Sequence, residues 1–176
     1  MMVARILILS LALLSVFSTY AKSDTDEQKA VEAAKNDSID AIKAHSALQT
    51  NAFAFMCDKI EAGGQFYYVS ENMNYFTTNG DRAMLQISPM DAYFDGINLR
   101  GSISTSSVRI DKKGNTVARY TLCGSVLNAT LTVTLFKDSN VAQAFVNPDF
   151  TSGSFTMFGT IVELGSLPVF ESALHF

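Results

Sequence analysis

From Ala52 onward the apolar residues recur at every second position, and this alternation limits the fold more than any other feature of the chain. A period of two places successive side chains on opposite faces of a strand. The cleanest stretch is residues 126–136, where Leu127, Ala129, Leu131, Val133 and Leu135 alternate with Asn128, Thr130, Thr132 and Thr134. One face is oily and the other wet, as in an antiparallel sheet with one solvated side. A slip of one residue would bury the threonines, so the facing of this strand is firmly specified.

Other strands follow from the same pattern. Phe53, Phe55 and Cys57 share one face of a short strand, and residues 65–70 are rich in the β-formers Phe66, Tyr67, Tyr68 and Val69. Residues 73–78 and 82–87 flank Asn79-Gly80, a dipeptide suited to a tight hairpin. Residues 102–110 and 116–123 flank a second turn, Asp111-Lys112-Lys113-Gly114-Asn115. Residues 141–146 form a strand that Asn147-Pro148-Asp149 is expected to break, and residues 154–164 form the last one, with Gly159 as a bulge or bend. About eight or nine short strands at even spacing predict a mainly β fold: a single antiparallel β-sandwich or barrel-like domain. No strand–helix alternation supports a parallel sheet.

Before residue 51 the pattern differs. Residues 22–50 are rich in Ala, Lys, Asp, Glu and Gln and lack aromatics. Thr25 and Gln28 fit a capping box, and Val31, Ala34, Ile39, Ile42 and Leu48 recur at near-helical spacing. This predicts one N-terminal helix with a thin apolar stripe, docked loosely on the β-domain or projecting to a partner. Further upstream, Arg5, the apolar run 6–17 and the small-residue exit Ser18-Thr19-Tyr20-Ala21 have the three-part layout of a secretion signal. The run is too short for a bilayer span, which takes about 20 residues. The expected organisation is a signal peptide at 1–21, a helix at 22–50, a β-domain at 51–167 and a tail at 168–176. The product is expected to be periplasmic or extracellular, with no transmembrane segment after signal removal.

The order of these elements resembles the bacterial envelope family known as domain of unknown function 4251. The resemblance rests on Ala52-Phe53-Ala54-Phe55 after the helix, Gly80-Asp81-Arg82-Ala83-Met84-Leu85-Gln86 after the hairpin, and Gly96-Ile97-Asn98-Leu99-Arg100-Gly101. It continues in Lys112-Lys113-Gly114-Asn115, Leu131-Thr132-Val133-Thr134-Leu135 and Phe158-Gly159-Thr160-Ile161. These are turn and strand motifs, so their shared order carries the match. The resemblance implies export into a Gram-negative envelope and a compact β-rich domain, and it brings no catalytic residues. Phe158 stands where the family pattern places Tyr, and Cys57 and Cys123 are not part of that pattern.

Few side chains offer chemistry. The two histidines, His45 in the expected helix and His175 beside the C-terminal residue, lack partners at metal-ligand spacing. No Gly-x-Ser-x-Gly elbow is present. Asp91 and Asp95 bracket Ala92-Tyr93-Phe94 at a spacing foreign to a calcium loop, and turn aspartates that bond their own backbone are commoner. Cys57 and Cys123 are permitted to pair in an oxidising compartment, but their strand phases favour two separately buried thiols. The net charge of −4 does not steer the chain toward nucleic acid. No catalytic residue, cofactor or metal is expected.

Phe66-Tyr67-Tyr68, Tyr75-Phe76 and Tyr93-Phe94 crowd the first half of the β-domain. Consecutive aromatics on a strand face opposite ways, so some should reach the surface as a binding patch. The favoured reading is a non-enzymatic envelope protein binding a small ligand or a protein partner through its β-domain. A closed barrel of lipocalin type would hold a cavity, and a sandwich would have a filled core with binding outside it. The alternatives are a periplasmic hydrolase using Asp58, Glu61, Asp91 or Asp95, and an assembly or structural subunit with an unpaired edge strand.

Overall fold

The computed structural model describes residues 28–90, 96–149 and 153–166. The expected signal, Thr25, Asp91, Asp95, the Tyr93-Phe94 pair, His175 and the tail lie outside the described residues. Nine strands follow the helix: β1 (Ala52–Ala62), β2 (Gln65–Tyr68), β3 (Tyr75–Asn79), β4 (Arg82–Ile87), β5 (Ile97–Ile110), β6 (Thr116–Gly124), β7 (Asn128–Leu135), β8 (Val141–Pro148) and β9 (Phe155–Glu163).

All neighbouring strands are antiparallel, in the order β2-β1-β3-β4-β5-β6-β7-β8-β9, and β9 pairs back to β1. The sheet is therefore a closed barrel of eight strands, with β2 as one extra. Strand β1 carries β9 along one edge. Its other edge is shared: Ala52–Met56 pair with β3 and Lys59–Ala62 with β2. Closure decides between the two architectures left open by the sequence.

The barrel is filled by the inward halves of the alternating strands. Phe53, Phe55, Phe76 and Tyr120 occupy its centre, each at most 2% exposed. Their rings meet edge-on or tilted, with centroids 5.6 Å apart for Phe53–Phe76, 5.5 Å for Phe76–Tyr120 and 6.0 Å for Phe53–Tyr120. Around them pack Leu85, Leu99, Leu122, Leu131, Val133, Val146 and Met157. The closed barrel thus has the side-chain-filled centre that the sequence argument assigned to a sandwich. A second buried cluster lies on the outside of β1, β3 and β4: Ala54, Met56, Tyr75 and Met84, packed by Val162 and Leu164.

Residues 28–50 are helical (α1). Residues 28–37 belong to a separate compact unit, and all of them are exposed. From Ser38 the chain belongs to the unit that holds the barrel, and there Ala44, Ala47 and Leu48 join its core. Of the apolar stripe expected from sequence, only Leu48 is buried; Val31 and Ile42 remain 65% and 68% exposed. Alanine explains the difference, because its small side chain lets the helix backbone approach the barrel closely.

Several turns differ in detail. Asn79 pairs with Arg82, so the β3–β4 loop is Gly80-Asp81 rather than Asn79-Gly80. Of those two residues only Gly80 has positive φ, at 63°, the pattern of a II′ turn. Pro148 does not break β8 but ends it, buried and paired with Ala129; proline needs no ladder donor there. The bulge expected at Gly159 lies on the partner strand, where Asp58 is the extra residue between the Cys57–Gly159 and Lys59–Phe158 pairs.

Candidate binding surface

The residues singled out for chemistry do not converge. His45 is tied at both ring nitrogens: Nδ1 is 2.8 Å from the Thr116 hydroxyl and Nε2 is 2.9 Å from Gln49 Nε2. An amide nitrogen only donates, so Nε2 accepts and Nδ1 carries the proton toward Thr116. His45 thereby fastens α1 to the start of β6. Asp58 is exposed at the β1 bulge, where its carbonyl accepts the Val69 amide at 2.9 Å. Glu61 is half-buried on the outer face of β1, opposite Phe66 and Thr156. Among the described residues, no group of three or more His, Cys, Asp or Glu side chains is placed to hold a metal.

The cysteines are free thiols on opposite staves of the barrel, Cys57 on β1 and Cys123 on β6. Cys57 points inward and is fully buried; its thiol donates to the Lys59 carbonyl at 3.3 Å. Burial pushes this thiol up to about 12, outweighing the backbone hydrogen bonds that pull the other way. It stays protonated and non-nucleophilic near neutral pH. Cys123 corrects the expectation of two buried thiols: it is exposed, because it shares the outward phase of Arg119 and Thr121.

The aromatic residues divide as the alternation of β-strands dictates. Phe76 is in the core, and Tyr75 is 6% exposed in the outer cluster, where its hydroxyl donates to Gln86 Oε1 at 3.1 Å. Strand β2 behaves differently: Tyr67 is half-buried, while Phe66 and Tyr68 are 57% and 87% exposed. Gly63 and Gly64, with φ of 59° and 79°, make the tight turn that folds β2 back on β1. The register then puts Phe66 beside Glu61 and Tyr68 beside Lys59, all facing outward.

Strand β9 completes the surface. Phe158 is paired with Lys59, and its ring centroid is 6.4 Å from that of Phe66. The Lys59 ammonium sits 4.5 Å from the Phe158 centroid and 5.3 Å from the Phe66 centroid, so one cation bridges two ring faces. On the neighbouring β8, Phe145 remains 48% exposed. The outer face of β2-β1-β9-β8 is thus an open aromatic platform with a fixed cation. Phe66 and Tyr68 are legible in the sequence as consecutive strand aromatics. Phe158 and Lys59 are not, because only the cross-strand register brings them there.

The fold and this surface define a closed antiparallel β-barrel protein with a filled centre and an aromatic outer face. The chain belongs to the DUF4251 family, a domain of unknown function whose profile matches residues 22–161. The fold is similar to the crystal structure of a DUF4251 family protein from Bacteroides eggerthii DSM 20697. That likeness has a TM-score of 0.72 at 24% identity and covers 79% of this chain and 97% of the other. No functionally curated protein matches the sequence. No helix among the described residues is long and apolar enough to cross a membrane.

Proposed function

We propose that this chain is an exported, non-enzymatic envelope protein that recognises a ligand or protein partner through the aromatic outer face of its barrel. The observation that carries the reading is the exposure of Phe66 and Tyr68 beside Phe158. Large aromatics are costly to leave in water and are enriched at interfaces. The side chains that fill the barrel centre favour an external surface over an internal cavity. Export is supported by the three-part leader and by a family match that begins at residue 22, directly after the expected cut.

The test is site-specific photocrosslinking in the native cell. A benzophenone side chain at Tyr68 should give a discrete adduct that is lost in Phe66→Ser, while the same probe at Asn98, exposed on the first half of β5, should give none. Equal labelling at both positions, or none at either, would end the proposal. Cell fractionation with N-terminal sequencing checks export independently, and the mature chain is expected to begin at Lys22.

A further inference from the structure

Among the described residues no strand pairs with the outer edge of the second half of β5; the Asn51 side chain touches it at one point, donating to the Ser106 hydroxyl at 3.5 Å. Strand β4 pairs with β5 only as far as Ser102, whereas β6 continues along it to Ile110. Between Ser104 and Ile110 every residue is exposed, including Val108 at 37% and Ile110 at 63%.

The free hydrogen-bonding groups of this edge follow from the register. Residue Asp111 donates its amide to the Asn115 carbonyl at 2.9 Å, which makes Asp111–Asn115 a hydrogen-bonded pair. Bonded and non-bonded pairs alternate in an antiparallel ladder. Arg109–Val117, Ser107–Arg119 and Thr105–Thr121 therefore exchange bonds within the barrel. The amides and carbonyls of Ser106, Val108 and Ile110 point the other way, and among the described residues none of them has a partner strand.

Natural sheets protect such edges with proline, lysine, a bulge or a covering element. Residues 105–110 contain no proline or lysine, and the only β5 register shift lies before them, between Ile103 and Thr105. The one charge, Arg109, is on the outward face.

We propose that this edge is a dimer interface, paired antiparallel with the same segment of a second copy about a twofold axis at Val108. That register uses the outward backbone groups of all three residues: Val108 opposes its own symmetry mate, and Ser106 opposes the mate's Ile110. Ser107 opposes the mate's Arg109, so no like charges face each other. The β-branched Val108 and Ile110 leave water, and a sheet runs from one barrel into the next. This interface is separate from the aromatic face and does not depend on its role.

The test uses the purified exported protein. Sedimentation equilibrium should show a dimer over the micromolar range, and Val108→Lys, which sets two ammonium groups face to face, should sediment as a monomer. Val108→Pro should do the same with an unchanged circular dichroism spectrum, because the Val108 amide serves no bond within the barrel. A bonded antiparallel pair holds its Cα atoms about 5.5 Å apart, within disulfide range. In a Cys123→Ser background, Val108→Cys should therefore link to itself under oxidised glutathione, and Cys123→Ser alone should not. A monomer at every concentration overturns the proposal. So does a dimer that survives Val108→Lys and in which Val108→Cys fails to link. Should the proline variant not fold, the self-linking variant decides alone.

Discussion

Gly159 approaches the backbone of Met56 so closely that a Cβ on Gly159 would lie 1.8 Å from the Met56 carbonyl oxygen. The obstacle is main chain, which cannot swing aside as a long side chain can. The approach lies beside the Asp58 bulge, where the ladder between β1 and β9 shifts register. Gly159→Ala should cost about 3 kcal/mol or prevent folding, at the severe end for one substitution. Urea unfolding measures it, and a loss below about 1 kcal/mol would mean the strands part without penalty.

Cys57 makes stability sensitive to alkali. An unfolded thiol ionises near 9.0, and burial raises the folded one to about 12. A raised pKa means the folded state keeps its proton while the unfolded chain loses it. The contribution is fully present below pH 9 and is lost as pH rises toward 12. In that window the slope is about 1.4 kcal/mol per pH unit. Cys57→Ala removes this share of the slope, whatever its effect on absolute stability. Urea midpoints measured between pH 8 and pH 11 should show a shallower decline in the variant, and identical declines would refute the assignment.

Tyr120 carries a hydroxyl that is buried without a hydrogen-bond partner among the described residues. Burial also pushes its ionisation well above the ordinary tyrosine range. An unmet buried hydroxyl costs about 1–3 kcal/mol, and Phe fills the same volume without it. Tyr120→Phe should therefore stabilise the barrel by about 1 kcal/mol and raise its melting temperature. A marked loss of stability would show that the hydroxyl is satisfied inside the native barrel.

Local pattern made most of the barrel legible. The alternation of residues 127–135 fixed which face of β7 is buried, and Asp111 with Gly114 marked the β5–β6 turn. The Gly63-Gly64 turn carried an equally strong signal in its two small residues, yet the expected first strand stopped short of it and β1 runs on to Ala62. Closure was not legible, because pairing of β1 with β9 is a contact between the ends of the domain. Alternation looks the same in a barrel and in a sandwich. The aromatic surface was half legible for the same reason: Phe66 and Tyr68 stand two apart in sequence and so share a face, whereas Phe158 reaches them through two strand registers.

Asp111 organises the β5–β6 turn. One carboxylate oxygen accepts the amides of Lys113 at 2.8 Å and Asn115 at 2.9 Å, and the other accepts the Asn115 side-chain amide at 3.0 Å. Desolvation works to raise its pKa, but these bonds and the nearby Lys113 charge together outweigh it and hold the group below the ordinary aspartate value. The carboxylate therefore stabilises the fold above pH 4 and ceases to do so as acid protonates it. Asp111→Ala should melt at lower temperature at pH 7, and the difference from the native chain should shrink by pH 2. A constant difference across that range would show that the turn does not depend on the charged form.

Tyr68 and Phe66 separate binding from stability. Both project from a strand of four residues at the barrel rim, and neither contributes to the buried core. Surface substitutions of this kind usually change stability by no more than about 0.5 kcal/mol. Tyr68→Ser should accordingly leave the urea midpoint in place. Phe66→Ser should cost slightly more, because it removes one of the two rings under Lys59. If either residue anchors a partner, the same changes should weaken capture by roughly 10-fold or more, the usual consequence of losing an interface aromatic. Unchanged stability together with lost capture marks a recognition surface. Lost stability would instead show that the rings hold β2 against the barrel.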